Sequence, residues 1–200
     1  MQPPDRFAEL RLLLATPEPP DLGPGPRSGL KPLPSLNQLI DHALHSGALS
    51  SVRGNLVRGL LLLWHDHHDA SHAIVQTIEN ADGSCVHGIL HRREPDYGNA
   101  RYWFHRVGNH PAFAALADRA LTLPAANAER ALLTQLVPGD QWDASAFIDA
   151  CEAAATLPPS GARVQFLRSV QAAEFHVLLE YFCEAGDASR AAKAGKEPRK

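Results

Sequence analysis

Eight of the eleven histidines lie in one stretch of the chain, from Trp64 to Pro111. Two triplets in this stretch share the spacing i, i+4, i+7: His65, Asp69 and His72 form the first, and His87, His91 and Glu94 form the second. At about 100° per residue, such a triplet occupies one face of a helix. Imidazole nitrogens and carboxylate oxygens are ligands of zinc, iron and manganese. The spacing therefore indicates a metal site built from two helices.

The segment between the triplets predicts a chain reversal. It reads Asn-Ala-Asp-Gly-Ser over residues 80–84, a composition typical of turns, and Ser84 is placed to cap the second helix. Two helices folded back antiparallel about this turn bring residues at equal distances from it level with each other. The pairs that come level are His72 with His91 and Asp69 with Glu94.

The predicted ligands of a single metal ion are therefore the residues that converge between these helices: Asp69, His72, His87, His91 and Glu94. A site of imidazoles and carboxylates with an open coordination position is typical of catalytic metals. Zinc there would activate water in a hydrolase, whereas iron would suit an oxygenase. We predict a divalent metal ion (Zn, Fe or Mn) and leave the reaction open between these two.

A metal-free interpretation also fits the pattern. The first triplet lies broadly opposite an apolar stripe that includes Leu60, Leu63 and Ile74. A polar face opposite a core stripe is usual on an amphipathic helix. In this alternative the protein is a helical interaction or ligand-binding module, and the histidines form a polar network.

A second metal pattern runs over a longer part of the sequence. His42, the dyad His65-Asp66 and a later aspartate, Asp143 or Asp149, follow one another in that order. This order resembles the HD-type metal-dependent phosphohydrolases, which are also all-helical. The resemblance covers four positions, and it implies a metal site made from these residues and hydrolysis of a phosphate ester.

Arginine and aromatic side chains follow the second triplet. Four of them are candidates for binding a small anionic or planar ligand beside the metal: Arg93, Tyr97, Tyr102 and Arg106. Guanidinium groups bind phosphate and carboxylate, and aromatic rings stack on planar groups. The alternative is an aromatic core with arginines paired to Glu94 or Asp96.

Apolar residues recur at helical spacing along most of the chain, and no run alternates as a strand would. The sequence predicts an all-α, single-domain bundle of about seven or eight helices with a central antiparallel helical hairpin. Its first arm is predicted to run without a break from Ser51 to Ile78. We expect an N-terminal helix and proline-rich connector over 1–34, the helical domain over 35–186, and a flexible basic tail over 187–200.

Composition restricts the partners. The formal net charge of −3 gives no general attraction to nucleic acid, and the longest apolar run, residues 59–64, is too short to cross a bilayer. Three widely spaced cysteines and no secretory leader pattern predict buried thiols and a cytoplasmic location. An apolar stripe left uncovered would be sealed in a homodimer.

Overall fold

The computed structural model describes residues 7–47 and 49–194, and this part of the chain is all-helical, as predicted. The ten α-helices within it are close to the predicted seven or eight, and one predicted helix, from Ser51 to Ile78, is divided into two. In order they are α1 (Ala8–Leu12), α2 (Leu33–Gly47), α3 (Ser51–Trp64), α4 (His68–Val75), α5 (Ala81–Arg93), α6 (Tyr97–Val107), α7 (Ala112–Leu121), α8 (Arg130–Leu136), α9 (Ala144–Ala154) and α10 (Ala162–Ala194), with a 3-10 turn at Pro138–Asp140.

Helix α3 lies at the centre of the fold. Its residues from Gly59 to Trp64 are all buried, and it packs against α2, α4, α5 and α10. Trp64 meets Phe175 of α10 edge to face, with ring centroids 5.3 Å apart. Each large apolar side chain buried in this way contributes roughly 1.5–3 kcal/mol. The apolar contacts between α3 and its neighbours therefore provide the main support for the helices around the histidines.

The predicted unbroken helix from Ser51 to Ile78 is wrong, because the chain leaves the helical path at residues 65–67. Asp66 there has φ +62°, a left-handed conformation that few non-glycine residues adopt. Its buried carboxylate accepts hydrogen bonds from the Arg27 backbone N–H at 2.8 Å and from Arg93 Nη2 at 2.7 Å. Arg27 Nε lies 3.0 Å from the same carboxylate. These contacts hold the break between α3 and α4.

The predicted hairpin is formed by α4 and α5, which pack against each other on either side of residues 76–80. Ser84 is not the cap of the second helix. Instead, the side chain of Asn80 accepts a hydrogen bond from the Gly83 N–H at 2.8 Å, so α5 begins at Ala81 and Ser84 is buried within its first turn. The reversal lies a few residues earlier than the sequence indicates.

The proline-rich connector follows the surface of the bundle and is tied down through its backbone carbonyls. Arg168 of α10 donates to the carbonyl of Pro19, and Gln171 donates to those of Pro20 and Asp21. A proline-rich segment has few N–H donors of its own, so the carbonyls that it turns towards the bundle need hydrogen-bond donors from other segments. Side chains of α10 supply them.

The last helix is longer than the sequence indicates, since α10 continues to Ala194 instead of ending near residue 185. Residues 195–200 of the predicted basic tail lie outside the described residues, and the flexibility of that tail stays a prediction. All three cysteines, Cys85, Cys151 and Cys183, are buried. Among the described helices, none has both the length and the apolar character required to cross a membrane.

Replacing Asp66 with asparagine should lower the free energy of unfolding by about 3–5 kcal/mol, because two buried guanidinium groups lose their counter-charge. Urea unfolding followed by circular dichroism measures this loss. The matched control is Asp41→Asn, which breaks the ion pair of a largely exposed carboxylate with Arg58 and should cost less than about 1 kcal/mol. Equal losses in the two variants would contradict a central role for Asp66.

Candidate metal centre

Three of the five predicted ligands meet between α4 and α5: His72, His87 and His91. One ring nitrogen from each lies within 4.8 Å of the other two, and the Nε2 atoms of His72 and His87 are 2.9 Å apart. In a tetrahedral zinc site, with Zn–N bonds of about 2.0–2.1 Å, two ligand nitrogens are about 3.3 Å apart. The three histidines therefore lie close enough to bind a metal, with only small side-chain rotations.

Local structure determines how these rings approach. His87 and His91 are one turn apart on α5, and their rings stack with centroids 4.8 Å apart. His72 comes from α4, which lies very close to α3: a Cβ added at Gly59 would be only 2.6 Å from Val75 Cγ1. Beside His72, Ser71 Oγ donates a 2.8 Å hydrogen bond to the Gly59 carbonyl. The glycine thus allows the close packing that sets the position of α4.

A tryptophan from α6 covers the most buried of the three histidines. The Trp103 ring stacks on His87 with centroids 4.0 Å apart and an interplanar angle of 23°. A Cβ added at Gly88 would be 2.7 Å from Phe104, so this glycine allows α6 to approach α5 closely. The sequence pattern gives no link between Trp103 and the histidines, because helical periodicity says nothing about neighbouring helices.

The environment favours the neutral imidazoles of His87 and His91. Burial, together with repulsion from the nearby His91 and His72, lowers the pKa of His87 to about 4. Burial also lowers the pKa of His91, although the carboxylates of Glu94 and Asp96 oppose this shift. His87 is only 4% exposed, and its Nδ1 is buried with no hydrogen-bond partner in the described part of the chain. Neutral imidazoles are the form that binds metal.

The two predicted carboxylate ligands lie outside this group. Glu94 is beside it, with Oε2 3.3 Å from His91 Nδ1 and Oε1 4.0 Å from His68 Nδ1. A carboxylate at the second nitrogen of a histidine ligand orients the ring and raises its basicity. Asp69 is exposed on α4 and is absent from the three-histidine group. The predicted approach of His72 to His91 is present, with ring centroids 5.7 Å apart.

Two of the four predicted ligand-binding residues lie next to this group. Tyr102 and Arg106 flank Trp103 on α6, and both are exposed. The Arg106 guanidinium lies 5.4 Å from the Trp103 ring centroid and 3.3 Å from the Tyr102 hydroxyl. Both residues contact Trp103, whose ring stacks on His87.

The other two predicted ligand-binding residues lie elsewhere. Arg93 is fully buried, and it donates to Asp66 and to the backbone carbonyls of Leu63, Asp21 and Gly23, so its guanidinium is already engaged. Tyr97 is half-buried and lines a cavity of about 400 Å³ beside the proline-rich connector.

The residues of the HD-type pattern take part in separate contacts. His42 is exposed and lies 3.9 Å from Glu9, whereas the two nitrogens of His65 face the carbonyl of Leu13 and the N–H of Lys31. The remaining three carboxylates have partners of their own: Asp66 binds Arg27 and Arg93, Asp143 caps α9, and Asp149 pairs with Arg101. In the described part of the chain, the one group of three or more suitable side chains close enough for a metal is the three-histidine group.

Comparison with known proteins gives no family model, no curated protein and no solved structure that matches this chain. We therefore infer its function from the arrangement of its own side chains.

The metal-free protein should lose stability as the pH falls from about 6.5 to 4. Unfolded His87 takes up a proton near its ordinary pKa of 6.5, but the folded state resists protonation until about pH 4. The stability that neutral His87 contributes is therefore fully present above pH 6.5. It decreases as the pH falls below 6.5, by roughly 3 kcal/mol in total.

Urea unfolding of the metal-free protein at pH 7 and pH 4.5 measures this loss. His87→Gln should have a clearly smaller loss between the two pH values than the wild type, because glutamine does not titrate. His105→Gln, which changes an exposed histidine on α6, should match the wild type. A pH dependence that is unchanged in His87→Gln would show that His87 is not its source.

Proposed function

We propose that this protein is a zinc-dependent hydrolase in which His72, His87 and His91 hold the metal ion. The observation that carries the proposal is the convergence of three imidazoles, one ring nitrogen of each within 4.8 Å of the others. The burial of His87, which is 4% exposed, supports it, because burial holds this imidazole in the neutral form that binds metal. Three protein ligands leave a fourth zinc position open for water.

The three histidine ligands favour zinc over iron or manganese. Non-haem iron oxygenases typically combine two histidines with one carboxylate, whereas three histidines are a common catalytic zinc set. Here Asp69 is exposed away from the group, and Glu94 lies at His91 Nδ1. Three neutral nitrogens therefore suit zinc, and hydrolysis is favoured over oxygen chemistry.

Each neighbouring side chain has a role in this proposal. Bound zinc lowers the pKa of its water to about 7, which supplies a nucleophile at neutral pH. Glu94 orients the His91 ring, and Trp103 covers His87 and excludes water from that side. His72 and His91 are less buried than His87, and a substrate would approach the open position from their side.

One observation favours the metal-free alternative, a helical interaction module. The 2.9 Å separation of the Nε2 atoms of His72 and His87 is also that of a hydrogen bond between two neutral imidazoles. In that case the cluster fixes α4 against α5 and binds no ion. A cytoplasmic location, a small anionic or planar ligand and a homodimer are compatible with either proposal and stay predictions.

Untagged protein purified without nickel or chelator should contain close to one zinc per chain by plasma mass spectrometry. His72→Ala and His91→Ala should each weaken zinc binding at least tenfold, because each removes one of three ligands. His105→Ala serves as the matched control and should keep the metal. Protein that contains no metal, and whose melting temperature does not respond to added zinc, would support the metal-free alternative instead.

Cobalt(II) provides a second, independent measurement. Because Trp103 stacks on His87 at 4.0 Å, paramagnetic cobalt bound by the histidines should quench its fluorescence. The quenched part of the emission should be absent in Trp103→Phe, which retains Trp64 and Trp142. Quenching of the same size in this variant would place the bound cobalt elsewhere.

A further inference from the structure

Arg106 is an exposed arginine whose charge is not neutralised by a carboxylate in the described part of the chain. Its contacts there are with the Tyr102 hydroxyl at 3.3 Å and with the Tyr102 and Trp103 rings, whose centroids lie 5.8 and 5.4 Å from the guanidinium carbon. Arg101 on the same helix differs, because it pairs with Asp149 and Glu152. The aromatic contacts hold the Arg106 side chain in place and leave N–H donors free for a ligand.

Trp103 links this cation to the three-histidine group. Its ring lies 4.0 Å from His87 and 5.4 Å from the Arg106 guanidinium, so that guanidinium is within roughly 10 Å of the His87 ring. A phosphate with one oxygen on a metal and another accepting from a guanidinium spans roughly 7 Å between the two. A span of roughly 7 Å lies within the limit of roughly 10 Å between the guanidinium and the His87 ring, so one tetrahedral oxyanion is large enough to reach both groups.

The charges around the site make anion binding depend on the metal. Glu94 and Asp96 approach His91 Nδ1 at 3.3 and 3.8 Å, and without a metal these two carboxylates repel an anion. A divalent ion and Arg106 together carry three positive charges against these two negative ones. An anion is then attracted to the loaded site.

We propose that the substrate is a phosphate monoester, with one oxygen on the metal and two others on the Arg106 guanidinium. This inference rests on the zinc site proposed above. A phosphate has enough oxygens for the metal and for the two parallel N–H donors of an arginine. A carboxylate, with two oxygens, can satisfy only one of these partners fully.

The reaction balances without any other reactant. The oxygen of the metal-bound water forms a new bond to phosphorus, and the bond from phosphorus to the ester oxygen breaks. The departing alcohol takes a proton that the water released, so the products are an alcohol and inorganic phosphate. Arg106 stabilises the charge on the oxygens that do not react.

The test is calorimetric titration of zinc-loaded protein, freed of excess zinc, with inorganic phosphate, which is the product and binds through the same oxygens. Arg106→Gln should weaken phosphate binding about tenfold or more while the zinc content stays unchanged. Arg106→Lys should restore part of the affinity, because it keeps the charge without the paired donors. The matched control Arg101→Gln should bind phosphate within about twofold of the wild type, as that arginine already has partners.

Two further titrations complete the test. Zinc-free wild type should bind phosphate at least tenfold more weakly than the loaded protein, and the loaded protein should bind acetate at least tenfold more weakly than phosphate. Acetate binding as tight as phosphate binding would overturn the assignment to a phosphate ester. Phosphate affinity unaffected by Arg106→Gln, in protein that retains zinc, would overturn this inference alone. If the wild-type protein does not bind zinc, both the inference and the metal site are overturned.

Discussion

The architecture around the histidines depends on one buried carboxylate, Asp66, which lies between two guanidinium groups. Arg27 comes from the proline-rich connector and Arg93 from the last turn of α5, and all three side chains are nearly inaccessible to water. Burial alone would raise the pKa of Asp66, but hydrogen bonds and charge from the two arginines outweigh that effect and hold its pKa below the usual value. The cluster fixes the start of α4 and the end of α5, which are the two helices that carry the histidines.

The three-histidine group shows how a polar site forms at the edge of an apolar core. α5 is buried along most of its length, so His87 and His91 enter the core boundary as neutral rings. Close packing at Gly59 and Gly88 brings α4 and α6 against these rings, with His72 on one helix and Trp103 on the other. Rings held by neighbouring helices lose little further freedom when they bind an ion, which favours binding.

Helical periodicity was enough to predict the fold class and the histidines that converge. The i, i+4 spacing of His87 and His91 requires only one helix, and the reversal predicted at residues 80–84 placed His72 opposite His91. Periodicity could not predict the break at Asp66, because the break depends on Arg27, which is 39 residues away in sequence. It also could not show that Arg93 is buried, since burial of an arginine depends on carbonyl and carboxylate partners from distant segments. The sequence pattern does not show which charged side chains pair with each other in the folded protein.

The anchoring of the connector to α10 has a consequence for the order in which the chain acquires its structure. Gln171 binds the carbonyls of Pro20 and Asp21 across 151 and 150 residues of sequence, and Arg168 binds that of Pro19 across 149. During synthesis, the connector leaves the ribosome long before these donors exist. The carbonyls of Pro19 and Pro20 are therefore satisfied by water until α10 is made, and this part of the connector is among the last segments to reach its final position.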